Sequence, residues 1–240
     1  LETATNKVRR LTNHKAADFN PVFSPCGKSL YFLSSRSGLV QLYKLSFNGG
    51  EAVQVTDFPV SIGNLKISPD GKYFSFSADI YLCAPTMAET AEKDRKKAKS
   101  QCSALVYEEL FVRHWDHWED HKWSHVFIMP VTGGTPVDTM AGLKGNCPSD
   151  PFGGPEEYNW SPDSRTIAFT TKLGRDRAWT TNWDVYLYDL QKNSFKNLTA
   201  DNKAWDTAPV FGPDGALYYQ AMKIPGYEAD RYRTMRMDLQ

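Results

Sequence analysis

One short turn recurs four times in this chain, and a recurring unit constrains a fold more than any single motif. "FSPCGKSLYFLSS" from Phe23, "ISPDGKYFSFSAD" from Ile67, "WSPDSRTIAFTTK" from Trp160 and "FGPDGALYYQAMK" from Phe211 each run apolar residue, proline turn, alternating strand. Proline presets φ, while the Asp/Gly pair supplies a side-chain acceptor and permissive backbone, so the chain reverses there. Behind the turn, Leu30 and Phe32, or Ile167 and Phe169, alternate with smaller or polar neighbours. That is the period of a half-buried strand.

Two further elements recur. "LTNHKAADFNPVF", "VTDFPVSIGNLKI" and "LTADNKAWDTAPVF" lead from an apolar-Thr strand end into the next unit. "LVQLYKLSFNGGEAVQVT", "HVFIMPVTGGTPVDTM" and "DVYLYDLQKNSFKNLT" read as strand, tight Gly or Asn turn, strand, which is a hairpin. One unit therefore holds about four strands. The turns fall at 24–27, 68–71, 161–164 and 212–215. The first and last intervals suit a four-stranded propeller blade of ~40–50 residues.

The middle interval is about twice that length and contains no such turn, so residues 84–124 are read as an insertion in the second blade. Thr86 with Glu89 forms a capping box ahead of alanines, lysines and glutamates, which predicts a short helix. Its apolar face is thin, so a solvated excursion stands beside the helix as an alternative. The expected fold is all-β: consecutive four-stranded blades of a β-propeller across 1–240, a partial arc of about four blades, one carrying a long insertion with a short helix. An open arc leaves sheet edges uncovered. It is therefore expected to belong to a longer chain, or to pair as a homodimer when alone.

Composition removes several functions. The 41% hydrophobic content over 240 residues is enough for real cores. Lys+Arg 28 against Asp+Glu 28 leaves no net field of the kind that draws a protein to nucleic acid. No apolar run approaches the ~20 residues of a membrane-spanning helix, and the first thirty residues lack a signal-peptide pattern, so no membrane partner is expected. Cys26, Cys83, Cys102 and Cys147 have neither CxxC spacing nor a zinc-finger histidine partner, so no metal and no cofactor is assigned to them. A Cys83–Cys102 disulfide would tie the base of the insertion, against the alternative of four small buried thiols. "NWS" at Asn159 and "NLT" at Asn197 match the glycosylation sequon but fall in the repeat's own strand pattern, so chance explains them.

"RHWDHWEDHKWSH", Arg113 to His125, gathers four of the chain's five histidines. His117, His121 and His125, spaced by four, would stack three imidazoles on one side of a helix, with Asp116, Glu119 and Asp120 nearby. Against that metal reading, Trp115, Trp118 and Trp123 would need burial at the same time, and His125 begins a strand. The preferred account has Trp115 and Trp118 anchoring the insertion on the propeller, and Arg113 bonded to a carboxylate such as Asp116 or Asp120.

Several stretches carry a family resemblance. "NPVFSPCGKSLYFLSSRSG", "VYEELFVRHWDHWEDHKWSHVFIMPV", "TTNWDVYLYDL" and "PGYEADRYR" together resemble the N-terminal propeller of the prolyl oligopeptidase family, in the branch of dipeptidyl peptidase V and the acylaminoacyl peptidases. The similarity spans nearly all of the chain. Its RHWD segment and GYEADR are more specific than the proline turn, which Tol-system propellers share. The resemblance shows Arg113, His114, Trp115, Asp116, Trp118 and Asp120 but requires nothing at His117 or His121, which weakens the metal reading further.

The resemblance implies a non-catalytic propeller that gates small peptides for an α/β-hydrolase domain with a Ser-Asp-His triad. No G-x-S-x-G nucleophile elbow occurs here, so no catalytic residue is assigned and that C-terminal domain is the expected partner. It also implies a carboxylate, near an aromatic wall, for the ammonium of a peptide substrate. Glu108, Glu109, Asp116, Glu228 and Asp230 are the candidates, with Arg113 and Trp115 beside them. Secreted and periplasmic relatives point to export. The competing expectations are a stand-alone, protein-binding propeller of the Tol type and a propeller lyase acting on acidic sugars with a histidine-bound metal.

Overall fold

At each proline turn a side chain takes over a backbone hydrogen bond. The computed structural model describes residues 4–150 and 152–239. In it the hydroxyls of Ser24, Ser68 and Ser161 accept the N–H of Ser29, Tyr73 and Thr166, the residues that open the following strands. Asp70, Asp163 and Asp214 add a second acceptor, for the N–H of Lys72, Arg165 and Ala216. Gly71 holds a φ of 72° at the end of its turn, and Ser164 takes the same left-handed position at 60°. In the fourth turn Gly212 replaces serine, and its own N–H closes on the Ala216 carbonyl at 2.8 Å.

Four antiparallel sheets follow in chain order. The first is β1 (Asp18–Phe23), β2 (Ser29–Ser37), β3 (Leu39–Ser46) and β4 (Val53–Gln54). The second begins with β5 (Gly63–Ile67) and β6 (Tyr73–Ile80). There the chain leaves the sheet, forms α1 (Met87–Ala98) and a small ribbon of β7 (Arg113–His114) and β8 (His117–Trp118), then returns as β9 (Trp123–Pro130) beside β6, followed by β10 (Val137–Asp138). The third is β11 (Tyr158–Trp160), β12 (Thr166–Thr171), β13 (Asp184–Asp189) and β14 (Ser194–Asn197). The last has three strands, β15 (Asp206–Phe211), β16 (Leu217–Ala221) and β17 (Arg233–Met237). These are propeller blades in an open series, and the excursion between β6 and β9 carries the helix.

Apolar faces meet between successive blades. Leu33 and Leu42 pack with Phe74, Phe76 and Phe127. Val126 and Ile128 pack with Tyr158, Phe169 and Tyr186, and Ala168 and Val185 with Leu217. The alternation read as a half-buried strand is thus buried on both faces in β6. Its polar face, Ser75 and Ser77, lies against the third blade, where Ser75 Oγ accepts the Trp160 indole N–H at 2.7 Å. Polar alternates survive burial here because each is satisfied, Ser75 by the neighbouring blade and Ser77 by the Asn64 amide of its own, at 2.9 Å.

The apolar-Thr strand ends act as clasps. Thr56 Oγ1 accepts the Leu42 N–H and Thr199 Oγ1 the Val185 N–H, both at 2.9 Å, while the Thr139 hydroxyl donates to the Val126 carbonyl at 2.8 Å. The residue before each clasped strand position is Gln41, His125 or Asp184. His125 is therefore an interior histidine of a blade, fully buried, with Nδ1 2.8 Å from Asp138 and Nε2 3.1 Å from the Leu143 carbonyl. His117 lies in β8 and His121 in the following loop against Tyr107, both exposed. No helix stacks the three imidazoles.

Three expectations about the insertion need correction. Trp115 and Trp118 are exposed, at 73% and 60%, because the tight β7–β8 ribbon turns them outward; the buried anchor is Trp123 at 7%, held in β9. Arg113 makes no ion pair with Asp116 or Asp120 and stacks 5.4 Å over the Trp118 ring. Cys83 and Cys102 are free and exposed, as is Cys26, and only Cys147 is buried. The helix itself forms: Thr86 Oγ1 accepts the Glu89 N–H and Glu89 accepts the Thr86 N–H, each at 3.1 Å, and Met87, Thr90 and Ala91 seat its first turn. No helix among the described residues is long and apolar enough to cross a membrane.

Candidate functional site

Two long departures from the repeat meet above the second and third blades. One is the excursion; the other is the 172–183 connection, where the repeat would place only a tight turn. Between them lies a cleft of about 450 Å³ walled by Phe111, Trp123, Trp179, Trp183 and Trp205. Trp183 and Trp205 stack at 5.6 Å. The Arg177 guanidinium sits 4.2 Å over Trp123 and its Nε reaches the Leu110 carbonyl at 3.4 Å, which fastens one departure to the other. On the same cleft wall Glu157 accepts both the N–H and the hydroxyl of Ser149, at 2.5 and 2.6 Å, in a setting whose burial still pushes its carboxyl upward.

Glu119 is the pivotal carboxylate. It lines the aromatic cleft, a polar recess of about 340 Å³ shared with Asp79, Asp120 and Asp150, and a third cavity of about 660 Å³ bounded by Tyr107 and His121. Its backbone is fixed twice, by its N–H on the Val112 carbonyl and by its carbonyl accepting the Tyr107 hydroxyl at 2.8 Å. The carboxylate itself has no hydrogen-bond or ion-pair partner among the described residues. Burial pushes its pKa up, with Arg177 pulling the other way. A half-desolvated carboxylate beside aromatic walls is suited to an organic ammonium, whose binding would relieve that penalty.

Two cations line the same cleft. Lys172 Nζ donates to the Thr180 carbonyl at 3.1 Å and lies 4.9 Å from the Trp183 ring centre. Burial pulls the pKa of both Lys172 and Arg177 down. Neither makes an ion pair among the described residues.

The seven residues proposed from sequence are not brought together. Glu108 and Glu109 border the third cavity. Glu109 is engaged by Lys144 at 2.6 Å and Arg175 at 3.6 Å, and the Lys144 hydrogen bond holds its carboxyl below the usual range. Arg113 and Trp115 lie on or beside the outer ribbon, Trp115 edge-on to Phe152 at 5.0 Å, and Asp116 is exposed next to His117 at 3.4 Å. Glu228 reaches the aromatic cleft. Asp230 accepts the N–H of Lys223, Ile224 and Arg231, bonds that hold it at about 2 and commit it to its own turn. Sequence reasoning named Glu119 only as a metal neighbour and passed over Lys172 and Arg177. The available signal was "KLGRDRAWTTNW", a charged, tryptophan-bearing stretch too long for a hairpin turn.

No family model matches the chain. Among curated proteins it is 30% identical over 237 residues to dipeptidyl-peptidase 5 of Porphyromonas gingivalis, covering 96% of this chain and 34% of that protein. It is 31% identical to the dipeptidyl-peptidase 5 of Porphyromonas endodontalis, covering 94% and 32%. The chain thus spans about a third of the length of these relatives. Among solved structures, acylaminoacyl peptidase of Pyrococcus horikoshii superposes with a TM-score of 0.61 at 11% identity, over 93% of this chain and 31% of that one. A TolB protein of Agrobacterium tumefaciens superposes with a TM-score of 0.54 at 22% identity, over 97% and 62%. These likenesses establish the fold. The homology to dipeptidyl-peptidase 5, running nearly end to end, places the chain as a propeller portion of the prolyl oligopeptidase family.

Proposed function

We propose that this propeller receives short peptides for a serine-type exopeptidase whose α/β-hydrolase domain lies elsewhere in the same polypeptide, and that Glu119 holds the substrate's terminal ammonium. The carrying observation is the Glu119 carboxylate: half-buried, unpartnered among the described residues, and set where three cavities meet. A free ammonium supplies the missing charge and hydrogen bonds. An acylated terminus brings neither, so the geometry favours removal of dipeptides from free N-termini over removal of blocked residues. Glu109, tied to two cations, is less suited to the role than Glu119. A stand-alone propeller of the Tol type shares the fold but gives no account of an unpaired carboxylate in an aromatic cleft.

The test is steady-state kinetics on the full-length protein. Glu119→Gln raises KM for a dipeptidyl substrate with a free N-terminus about tenfold or more, and leaves the N-acylated counterpart nearly unchanged. Glu108→Gln and Glu228→Gln are run beside it. An unchanged KM in Glu119→Gln, or wild-type preference for the acylated substrate, overturns the reading.

A further inference from the structure

The cleft that offers one unpaired carboxylate also offers two unpaired cations, and a peptide with free ends carries the complement of both. We propose that Lys172 and Arg177 form a carboxylate subsite in the aromatic cleft, so that the propeller selects short peptides by a carboxylate as well as by their ammonium. The inference rests on the peptide-binding reading of this cleft and extends it to the anionic end of the ligand.

The geometry is built for an anion. Lys172 spends one of its three N–H donors on the Thr180 carbonyl, and its ammonium rests against the Trp183 face, so two donors remain for a ligand. The Arg177 guanidinium carbon lies 4.2 Å from the Trp123 ring centre with only its Nε committed, to Leu110, so among the described residues the terminal nitrogens of the fork have no hydrogen-bond partner. Glu228 and Asp176 act on Lys172 through space without reaching ion-pair distance, and Glu119 and Glu109 act likewise on Arg177. Two partly desolvated cations in one cleft repel each other and have no carboxylate at ion-pair distance among the described residues. A ligand carboxylate would accept charge-assisted bonds from both, and water would be excluded by the same aromatic walls. The structural alternative is that Lys172 merely props the 172–183 connection through Thr180.

The experiment titrates the full-length protein with trialanine, trialanine amide and N-acetyl-trialanine, read by calorimetry and by quenching of the cleft tryptophans, with peptide integrity checked by chromatography. The wild-type protein is expected to bind trialanine about tenfold more tightly than its amide, a preference that narrows as salt is raised. Lys172→Met abolishes the preference while the amide still binds, Lys172→Arg retains part of it, and Glu228→Gln widens it by removing a competing charge.

Equal binding of acid and amide by the wild-type protein overturns the proposal, as does a Lys172→Met variant that weakens both ligands alike. If Lys172→Met does not fold, the acid-to-amide ratio and its response to Glu228→Gln decide. Comparison with N-acetyl-trialanine separates the two readings. Loss on acetylation with no acid preference leaves Glu119 in its role and removes this subsite. Acid preference without sensitivity to acetylation does the reverse. A peptide with an internal aspartate and an amidated end then tells whether a side-chain carboxylate serves as well.

Discussion

His125 Nδ1 lies 2.8 Å from an oxygen of Asp138 with the imidazole wholly buried, in the place that Gln41 fills in the first blade. A histidine that looks like a metal ligand in sequence is thus a bridge between strands of one sheet. Removing it strips the bond from one Asp138 oxygen, the other still accepting the Met140 N–H at 2.8 Å, and opens a void. His125→Ala is expected to cost about 3 kcal/mol in chemical denaturation. His125→Gln costs less, since an amide serves the equivalent site. Incubation with a strong chelator leaves the melting temperature of the wild-type protein unchanged; a drop would restore the metal reading.

The tryptophans of the same stretch separate by burial. Trp123→Ala is expected to destabilise the protein by about 3–5 kcal/mol, because the ring is buried and carries the stacked Arg177. Trp115→Ala and Trp118→Ala each stay within about 0.5 kcal/mol of wild type. Equilibrium unfolding of the three variants is the check, and comparable losses at Trp115 would return it to the role of anchor.

Asp206 is almost wholly buried between the third and fourth blades. One carboxylate oxygen accepts from Asn202 at 2.9 Å and the other has no hydrogen-bond partner among the described residues. Burial, with Asp184 nearby, raises its pKa to about 6. The folded state therefore binds a proton that the unfolded chain, with a carboxyl near ~3.9, has already released over that window. Stability is penalised above pH ~6 and recovers as pH falls toward ~4, so far as this residue governs it. Asp206→Asn is expected to raise the melting temperature by a few degrees, roughly 2–4 °C per kcal/mol, at pH ~8 and by little at pH ~5. An equal shift at both values would show that the charge is not the cause.

The cysteines give a chemical test of the excursion. Cys26, Cys83 and Cys102 are exposed and free, whereas Cys147 is buried and its thiol is pushed well above the ordinary value by that burial. Under native, non-reducing conditions three thiols are expected to react promptly with a colorimetric disulfide reagent, and the fourth only on unfolding. A single reactive thiol would mean that Cys83 and Cys102 are joined after all.

The blades were legible because each is local. Pro25, Pro69, Pro162 and Pro213 sit in turns whose hydrogen bonds close within six residues, as from Ser68 to Tyr73, and the alternation behind them needs no distant contact to be read. The Thr86–Glu89 capping box is local in the same sense, and so the helix could be placed. What alternation alone misjudged was the second face of β6, since Ser75 is polar in sequence and becomes interior only when the third blade brings Trp160 to it.

The site was not legible in that way. Glu119 and Arg177 are far apart in the chain, on two different departures from the repeat, and neither has a local pattern that marks it. Sequence by itself determined the repeating turn, the blades and the position of the excursion, because short-range hydrogen bonding and alternating burial specify them. Only tertiary structure decided which tryptophan is core, which carboxylate stands without a partner and which cations share its cleft. Those properties depend on what the neighbouring blade and the opposing connection exclude from water, and a linear string of residue types does not contain that distance.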